Sequence, residues 1–252
     1  QGGAAMYVSA DSDSTDVEIF NSKFIGNKSS FASCIWSQAT GNNPLNFRIF
    51  NSLFTDNIND NYGGVPYSGV FYFSSNGSQA NLLVSLINST ITKNIDSVIT
   101  SSTNSQLIML NKTSTLANST LEVGNCILYN NPGFNRTTRK YNSSSYDFVP
   151  SSFVSCISDN HNYATGTLRH KVYTHNPLFT NASTGDFTLQ SASPAIDSGS
   201  TGAFTFPATD LSGLTRIKGA AIDLGCYEYQ TITVGIKESK EFASLTVFPN
   251  PT

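Results

Sequence analysis

Four segments of this sequence superimpose on one another without a gap. They begin at residues 17, 47, 84 and 121 and end at asparagines 27, 57, 94 and 131. Each copy has apolar residues two positions apart, then an asparagine, a small residue, another apolar position and a closing asparagine. A repeat of this kind is typical of a solenoid, in which each copy stacks on the previous one. The repeat therefore constrains the fold before any local motif does.

The apolar positions of the repeat predict two short strands in each copy. Apolar residues at alternate positions indicate a strand with one buried face, and the change of phase at the first asparagine indicates a bend into a second strand. Successive copies start 30, 37 and 37 residues apart, which is too long for a hairpin and suits one circuit of a wide coil. The predicted core ladder consists of Ile19, Ile49, Leu86, Val123, Phe24, Phe54, Ile91 and Leu128.

Polar residues at fixed positions predict contacts between neighbouring coils. Parallel strands of stacked coils lie roughly 4.8 Å apart, so a side-chain amide at a bend reaches the amides above and below it. The predicted Asn ladder consists of Asn27, Asn57, Asn94 and Asn131. On the outward face, Glu18 and Arg48 bring opposite charges to the first two coils. The residues thus predict an all-β fold, a parallel β-helix.

The composition limits the classes of partner. The chain has 14 Lys and Arg against 17 Asp and Glu, and only 12% of its residues are charged. Nucleic-acid binding needs a clustered positive charge, so we do not expect nucleic acid as a partner. No apolar run approaches the roughly 18 residues of a membrane-spanning helix, and we expect no transmembrane segment. The abundance of Ser, Thr and Asn favours an extracellular β-solenoid.

The four cysteines lack the spacing of a zinc site. Cys126 and Cys156 occupy the small-residue position of adjacent copies. Two interpretations are open for this pair: a small buried side chain in each coil, or a disulfide between neighbouring coils.

The pattern changes after residue 190. A solenoid has to cover the last cross-section of its core, so we interpret the irregular, Gly-rich segment 191–229 as a C-terminal cap. The charged residues of this segment predict a buried network that holds the cap in place. The predicted cap network consists of Asp197, Asp210, Arg216 and Asp223.

The domain organisation follows from these patterns. Residues 1–190 are predicted to form the coils, 191–229 the cap, 230–242 a charged linker and 243–252 a short terminal strand. The basic, Ser-rich stretch 135–150 is predicted to be a loop extending from one turn. The opening residues 1–5 are typical of the interior of a coil, so we expect this chain to be the C-terminal piece of a longer protein.

Three acidic residues predict a candidate calcium site. Asp11, Asp13 and Asp16 place three carboxylates in one short segment, although the Gly turn and the distal Glu of an EF-hand are missing. The alternative interpretation is a solvated turn between two strands.

A second acidic set is the candidate for polysaccharide cleavage. Asp56 and Asp60, with Arg48, supply the carboxylates and the cation that such chemistry requires. No facing pair of acids recurs along the repeat. We therefore expect a non-enzymatic protein without a cofactor, unless the acidic turn at Asp11 to Asp16 holds Ca²⁺.

Two stretches of the coil and cap regions resemble known families. The chain resembles the GGA(I/L/V) and FxxN repeats of polymorphic outer-membrane adhesins and pectate-lyase-like β-helices in Gly2-Gly3-Ala4-Ala5 and Phe24-Ile25-Gly26-Asn27. It is similar to the C-terminal β-helix region of bacterial choice-of-anchor Q surface proteins over about 50 residues, from Asn176 to Tyr229. The resemblances imply a right-handed parallel β-helix with an irregular C-terminal cap.

The last residues are similar to the opening of a type IX secretion sorting domain of Bacteroidota. The candidate sorting signal consists of Phe248, Pro249, Asn250 and Pro251. The later strands and the basic end of that domain do not follow in this sequence. The resemblance implies export to the outer-membrane surface or the exterior of a Gram-negative bacterium. It also implies a transient outer-membrane barrel carrier and the type IX translocon as partners.

Two functions compete at this point. The leading hypothesis is a non-enzymatic stalk or adhesin module that contacts glycans or surfaces, since every recurring position has a packing or bend role. The alternative is a polysaccharide lyase or glycoside hydrolase on a pectate-lyase-like β-helix, which the resemblance also permits.

Overall fold

The computed structural model describes residues 5–11, 13–40, 42–60, 69–76, 81–97, 106–112, 119–134, 136–141, 151–159, 163 and 167–230. The first coil contains β1 (Met6–Ala10), β2 (Thr15–Phe20), β3 (Lys23–Ile25) and β4 (Lys28–Ser29). The second contains β5 (Ala32–Ala39), β6 (Leu45–Phe50), β7 (Leu53–Thr55) and β8 (Ile58–Asn59). The third contains β9 (Gly69–Ser75), β10 (Leu82–Ile87), β11 (Thr90–Thr92) and β12 (Ile95–Asp96). The fourth contains β13 (Gln106–Lys112), β14 (Ser119–Gly124) and β15 (Ile127–Tyr129), and β16 (Arg136–Tyr141), β17 (Ser151–Ser158) and β18 (Thr167–Tyr173) follow.

The strands of successive coils pair in parallel, which confirms the predicted parallel β-helix. One face is a five-stranded sheet in the order β1-β5-β9-β13-β16, and a short third face has the order β12-β8-β4. The remaining sheet contains two rows, β2-β6-β10-β14 and β3-β7-β11-β15, which β17 joins at one end. β18 pairs with β17 as the last strand of the stack.

The register of the sheets follows the sequence repeat. Ile19 pairs with Ile49, Ile49 with Leu86 and Leu86 with Val123. Phe24, Phe54, Ile91 and Leu128 pair in the same way in the second row. All eight of these residues belong to or pack against one hydrophobic cluster, and Phe24 is the one that is only partly buried.

Each coil turns through two bends that require left-handed backbone. At the first bend, the φ angles of Asn21, Asn51, Asn88 and Asn125 lie between 48 and 52°. At the second bend, left-handed backbone occurs at Gly26, Asp56, Lys93 and Asn130. Asparagine tolerates this conformation better than most residues, which explains why it precedes the second strand of each repeat.

The small-residue column after the first bend forms a hydrogen-bonded row. The backbone N–H of Ser22 donates to Ser52 Oγ at 3.2 Å, and the N–H of Ser52 donates to Ser89 Oγ at 3.2 Å. The N–H of Ser89 donates to Cys126 Sγ at 3.5 Å. The thiol therefore replaces a serine hydroxyl. All four cysteines are free and buried, so the disulfide between Cys126 and Cys156 does not form.

Two parts of the chain differ from the sequence-based expectation. Residues 136–141, predicted to lie in a loop, form β16 and pair in parallel with β13. Strand pairing uses backbone groups, and charged side chains are common on edge strands, so the basic composition did not exclude a strand. After β18, the short strands β19 (Phe179–Asn181) and β20 (Asp186–Leu189) pair antiparallel around the 3₁₀ turn Ala182–Thr184. The parallel coils of the described chain therefore end at Tyr173 rather than at residue 190.

Candidate functional site

The cap lies along the side of the coils at the first bend. Asn51 Nδ2 donates to the carbonyl of Thr209 at 3.0 Å, and Asn125 Nδ2 donates to the carbonyl of Ser200 at 3.1 Å. The backbone N–H of Ser200 returns a bond to Asn125 Oδ1 at 2.7 Å. These contacts reach the second and fourth coils, so the cap spans several coils instead of covering only the last cross-section. The cap covers outward apolar side chains of both of these coils, since Leu53 and Ile127 each belong to a hydrophobic cluster with cap residues.

A buried ionic network links the cap to the second coil. Arg216 Nη1 lies 3.6 Å from Glu228 Oε2, and both side chains are about 1% exposed. The guanidinium also donates to Asn51 Oδ1 and to the carbonyls of Gly225, at 3.1 Å, and Cys226, at 2.9 Å. Burial lowers the pKa of Arg216. Glu228 is the direct ion-pair partner, and the predicted network did not include it.

The predicted cap residues have different environments. Asp210 is buried and accepts backbone N–H groups from Ser212, Leu214 and Glu228 at 2.8–3.0 Å. Asp223 is buried and accepts the N–H of Asp197 at 2.7 Å and that of Tyr229 at 2.6 Å.

Asp197, by contrast, is exposed, and its Oδ1 accepts the N–H of Ala221. The prediction of a buried position for Asp197 was therefore wrong. The Asp197 backbone N–H, rather than its carboxylate, bonds to Asp223, so the side chain stays at the surface.

A cleft of about 450 Å³ lies between the cap and the first two coils. One wall comes from the outward face and ends of β2 and β6, and the other comes from the cap segment 205–207. The lining residues are Glu18, Phe20, Asn21, Arg48, Phe50, Thr205, Phe206 and Pro207. The volume lies within the range of roughly 300–1,000 Å³ that is typical of small-molecule sites.

An aromatic pair forms the apolar part of the cleft. Phe20 and Phe50 pair in register, and their rings are stacked with centroids 4.9 Å apart and an angle of 8° between planes. Phe20 is 45% exposed, which is high for a phenylalanine that has a stacking partner. The matching position in the fourth coil is Gly124, where an added Cβ would overlap the ring of Phe204 from the cap. The cap therefore fills this column at the fourth coil and leaves it open at the first two.

Charged side chains form the polar part of the cleft. Arg48 Nη2 lies 2.8 Å from Glu18 Oε1 and 3.9 Å from Asp16 Oδ1. Asn46 Nδ2 donates to Asp16 Oδ1 at 2.7 Å. The side chains of Arg48 and Glu18 are 42% and 44% exposed, so both are accessible to a ligand. The opposite charges expected on adjacent coils thus form an ion pair at the rim of an aromatic wall.

The predicted calcium ligands do not form a metal-binding group. Asp11 accepts hydrogen bonds from Ser9 Oγ at 2.6 Å and Thr40 Oγ1 at 2.5 Å, and these bonds lower its pKa. Asp16 faces Arg48, and Asp13 is exposed. Among the described residues, no set of three or more His, Cys, Asp or Glu side chains is arranged to hold a metal ion.

The residues considered for polysaccharide cleavage are also separated. Asp56 pairs with Lys93 at 2.8 Å, and Asp60 pairs with Lys28 at 3.4 Å. Arg48 pairs with Glu18 on the outward face of β6. The three residues thus belong to three different ion pairs and do not form one catalytic set.

Sequence reasoning missed the Phe20 and Phe50 pair, although a signal was present. Both residues directly precede the first-bend asparagine, at the same position of two consecutive copies. The third and fourth copies have Ile87 and Gly124 there. Phe20 and Phe50 occupy the outward-facing position of their strands, and only these two copies have an aromatic residue there. This pattern would have indicated the aromatic wall.

Comparison with protein-family models, with curated proteins and with solved structures found no match for this sequence. In the part of the chain that the structure describes, no helix has the length and apolar character to cross a membrane. The candidate sorting residues Phe248, Pro249, Asn250 and Pro251 lie outside the described residues, as do 231–242 of the predicted linker.

Proposed function

We propose that this chain is a secreted or cell-surface β-helix module, a stalk or adhesin without enzymatic activity, and that its cleft contacts glycans. The observation that carries this proposal is the stack of exposed Phe20 on partly buried Phe50, beside the Arg48 and Glu18 ion pair. Binding sites for small ligands combine an apolar wall with a few placed polar groups, and the cleft has both.

The chemistry of the cleft suits a sugar ring. A pyranose has an apolar face of C–H groups and a periphery of hydroxyl groups. Aromatic rings pack against the apolar face, and each hydroxyl both donates and accepts hydrogen bonds. Glu18 supplies acceptors and Arg48 supplies donors within one ion pair.

The scaffold also supports a binding role. β2 and β6 pair along all six residues, so the side chains that they present to the first wall of the cleft have a fixed spacing. A site on paired strands is held more rigidly than a site on a loop, and a rigid site loses less entropy on binding. The second wall is fixed because the cap is bonded to the coils through Asn51 and Arg216.

A glycan screen tests this proposal. The wild-type chain is expected to be retained by at least one polysaccharide or arrayed glycan. Phe20→Ser is expected to lose at least tenfold in affinity, since it removes the exposed ring of the stack. Tyr173→Ser is the matched control, because Tyr173 is 37% exposed and stacked on His175 at the other end of the coils.

The outcomes separate the competing functions. Equal retention of wild type and Phe20→Ser would place any binding outside the cleft and refute its role. Release of reducing ends or unsaturated sugars from the retained polysaccharide would show an enzyme instead of an adhesin. Retention without cleavage supports the proposal.

The proposed location is the outer-membrane surface or the exterior of a Gram-negative bacterium. Support comes from the similarity of the terminal segment to a type IX sorting domain, which implies an outer-membrane barrel carrier and the translocon as partners. Fractionation of the full-length product in isogenic hosts with and without the type IX apparatus tests this. Surface exposure in both hosts would contradict the proposed route.

A further inference from the structure

Resting on the function just proposed, we infer that the cleft accepts neutral glycan chains and disfavours acidic ones, with Glu18 as the residue that determines this specificity. The two classes differ by a carboxylate at C6 of the sugar. The charges of the cleft decide which of the two classes it accommodates.

Arg48 is the one cationic side chain among the residues that line the cleft, all of which the structure describes. Its Nη2 already lies 2.8 Å from Glu18 Oε1, and Asp16 Oδ1 approaches to 3.9 Å. Two carboxylates therefore surround one guanidinium. The local charge is negative, and the hydrogen-bonding fork of Arg48 is partly occupied before any ligand arrives.

An acidic sugar meets two obstacles at this position. To bind Arg48, its carboxylate has to displace Glu18 or lie beside it, and like charges in one site repel. Asp16, whose Oδ1 lies 3.9 Å from Arg48 Nη2, adds a second negative charge that displacing Glu18 does not remove. Because the side chains are partly exposed, solvent weakens this repulsion, so we expect discrimination of about tenfold rather than exclusion.

A neutral sugar meets neither obstacle. One hydroxyl of a vicinal pair donates to Glu18 while its neighbour accepts from Arg48, and the ion pair stays intact. Hydrogen bonds that involve a charged partner are stronger than neutral ones. The ion pair therefore acts as a combined donor and acceptor for hydroxyl groups.

The solenoid provides a matched control for Glu18. The outward column that contains Glu18 and Arg48 continues through Ser85 to Glu122, and these residues pair in register. Glu122 is exposed like Glu18 but has Ser85 and Ser152 as its register neighbours, and it does not line the cleft. Glu122→Gln thus removes one negative charge from the same outward column, but outside the cleft.

The experiment measures binding of cellohexaose, mannohexaose and laminarihexaose, each with its C6-oxidised counterpart, to wild type, Glu18→Gln and Glu122→Gln. Calorimetry at low salt is suitable because exposed charges are screened as ionic strength rises. Wild type is expected to bind a neutral hexasaccharide about tenfold more tightly than its oxidised form. Glu18→Gln is expected to reduce this ratio to about threefold or less by strengthening binding of the oxidised form, and Glu122→Gln to leave it unchanged.

The outcomes distinguish failure of the inference from failure of the proposed function. Wild type that binds the oxidised form as tightly as the neutral form overturns the inference and leaves the proposed function intact. The same holds if Glu18→Gln and Glu122→Gln change the ratio equally, because the effect is then one of net charge. If wild type retains no glycan of either class in these assays or in the wider screen, the proposed function fails and the inference fails with it.

Discussion

The two bends of each coil use asparagine in different ways. At the second bend, the Asn ladder bonds to itself: Asn57 Nδ2 donates to Asn94 Oδ1 at 2.8 Å, and Asn94 Nδ2 donates to Asn131 Oδ1 at 2.9 Å. At the first bend, Asn51 and Asn125 direct their amides to the cap. The Asn ladder holds the coils to each other. The first-bend asparagines bond to the cap, and Asn51 Nδ2 in addition donates to Asn21 Oδ1 of the neighbouring coil at 2.5 Å.

The two sets of asparagines differ in how far apart along the sequence their partners lie. Partners in the Asn ladder are 30 or 37 residues apart, which is the spacing of the repeat. The first-bend asparagines contact cap residues that are 75 to 165 positions away. Stacking identical residues satisfies the Asn ladder without any other part of the chain, whereas Asn51, Asn88 and Asn125 at the first bend also bond to a segment that does not repeat.

The largest effect is expected where the cap network meets the first bend. Arg216→Met removes the buried guanidinium and leaves Glu228 and Asn51 without their charged partner. Breaking a buried ion pair from one side typically costs about 3–5 kcal/mol. We expect a loss of that size in the free energy of unfolding, measured by urea titration with far-UV circular dichroism.

An exposed ion pair supplies the control for Arg216→Met. Lys28→Met breaks the pair with Asp60, in which the lysine side chain is 62% exposed, and we expect a loss below about 1 kcal/mol. Similar losses for the two variants would mean that the cap network contributes no more than a surface contact.

The next largest effect is a pH dependence of the free energy of unfolding, which arises from the cap residue Asp223. Burial raises the pKa of the Asp223 carboxyl from 3.8 to about 6, despite hydrogen bonds from the N–H groups of Tyr229 and Asp197. A carboxyl whose pKa is higher in the folded state contributes stability that is complete below pH 4 and is lost as the pH rises to about 6. The shift corresponds to at most about 3 kcal/mol, and solvent screening of the partly exposed carboxyl reduces this to about 2 kcal/mol.

The test compares wild type with Asp223→Asn from pH 4 to pH 7. As the pH rises through this window, wild type should lose about 2 kcal/mol of unfolding free energy relative to Asp223→Asn, because only wild type carries the titrating group. A constant difference would show that Asp223 titrates alike in the folded and unfolded chain. Taking the difference removes the contributions of carboxyls that lie far from Asp223.

A smaller loss is expected within the Asn ladder. Asn94→Ala removes the acceptor of the Asn57 N–H, at 3.2 Å, and the donor to the carbonyl of Phe54, at 3.0 Å. Each buried group left without a partner costs about 1–3 kcal/mol, and partial rearrangement reduces the sum, so we expect about 2–3 kcal/mol. Thermal unfolding measures the loss. An unchanged midpoint would mean that water replaces the ladder without cost.

Contacts between equivalent residues of neighbouring coils could be predicted from the sequence, and contacts with the cap could not. The Asn ladder, the apolar columns and the serine row that continues into Cys126 were all predictable, because each position faces its own equivalent in the next coil. The same reasoning located the Glu18 and Arg48 pair, since strand register brings them together.

The cap contacts were not predictable in the same way. Glu228 lies in an irregular segment with no equivalent elsewhere in the chain, so no periodicity indicated that it pairs with Arg216. The position of the cap beside the coils follows from its contacts with Asn51, Asn88 and Asn125, which the sequence presents only as turn residues. The cleft could not be predicted from the repeat either, because its second wall comes from cap residues 205–207.

The smallest effect is expected at Asn88, where the two roles of the first-bend asparagines separate. Asn88 Nδ2 makes a long bond of 3.4 Å to the carbonyl of Asp223, and its Oδ1 has no hydrogen-bond partner among the described residues. Asn88→Gly keeps the left-handed backbone, with φ near 48°, that glycine adopts without strain. We therefore expect a loss of about 1 kcal/mol, whereas Asn51→Gly, which also removes the acceptor of Arg216, should cost at least twice as much. Equal losses in chemical denaturation would mean that the backbone conformation, and not the bond to the cap, is what selects asparagine at this bend.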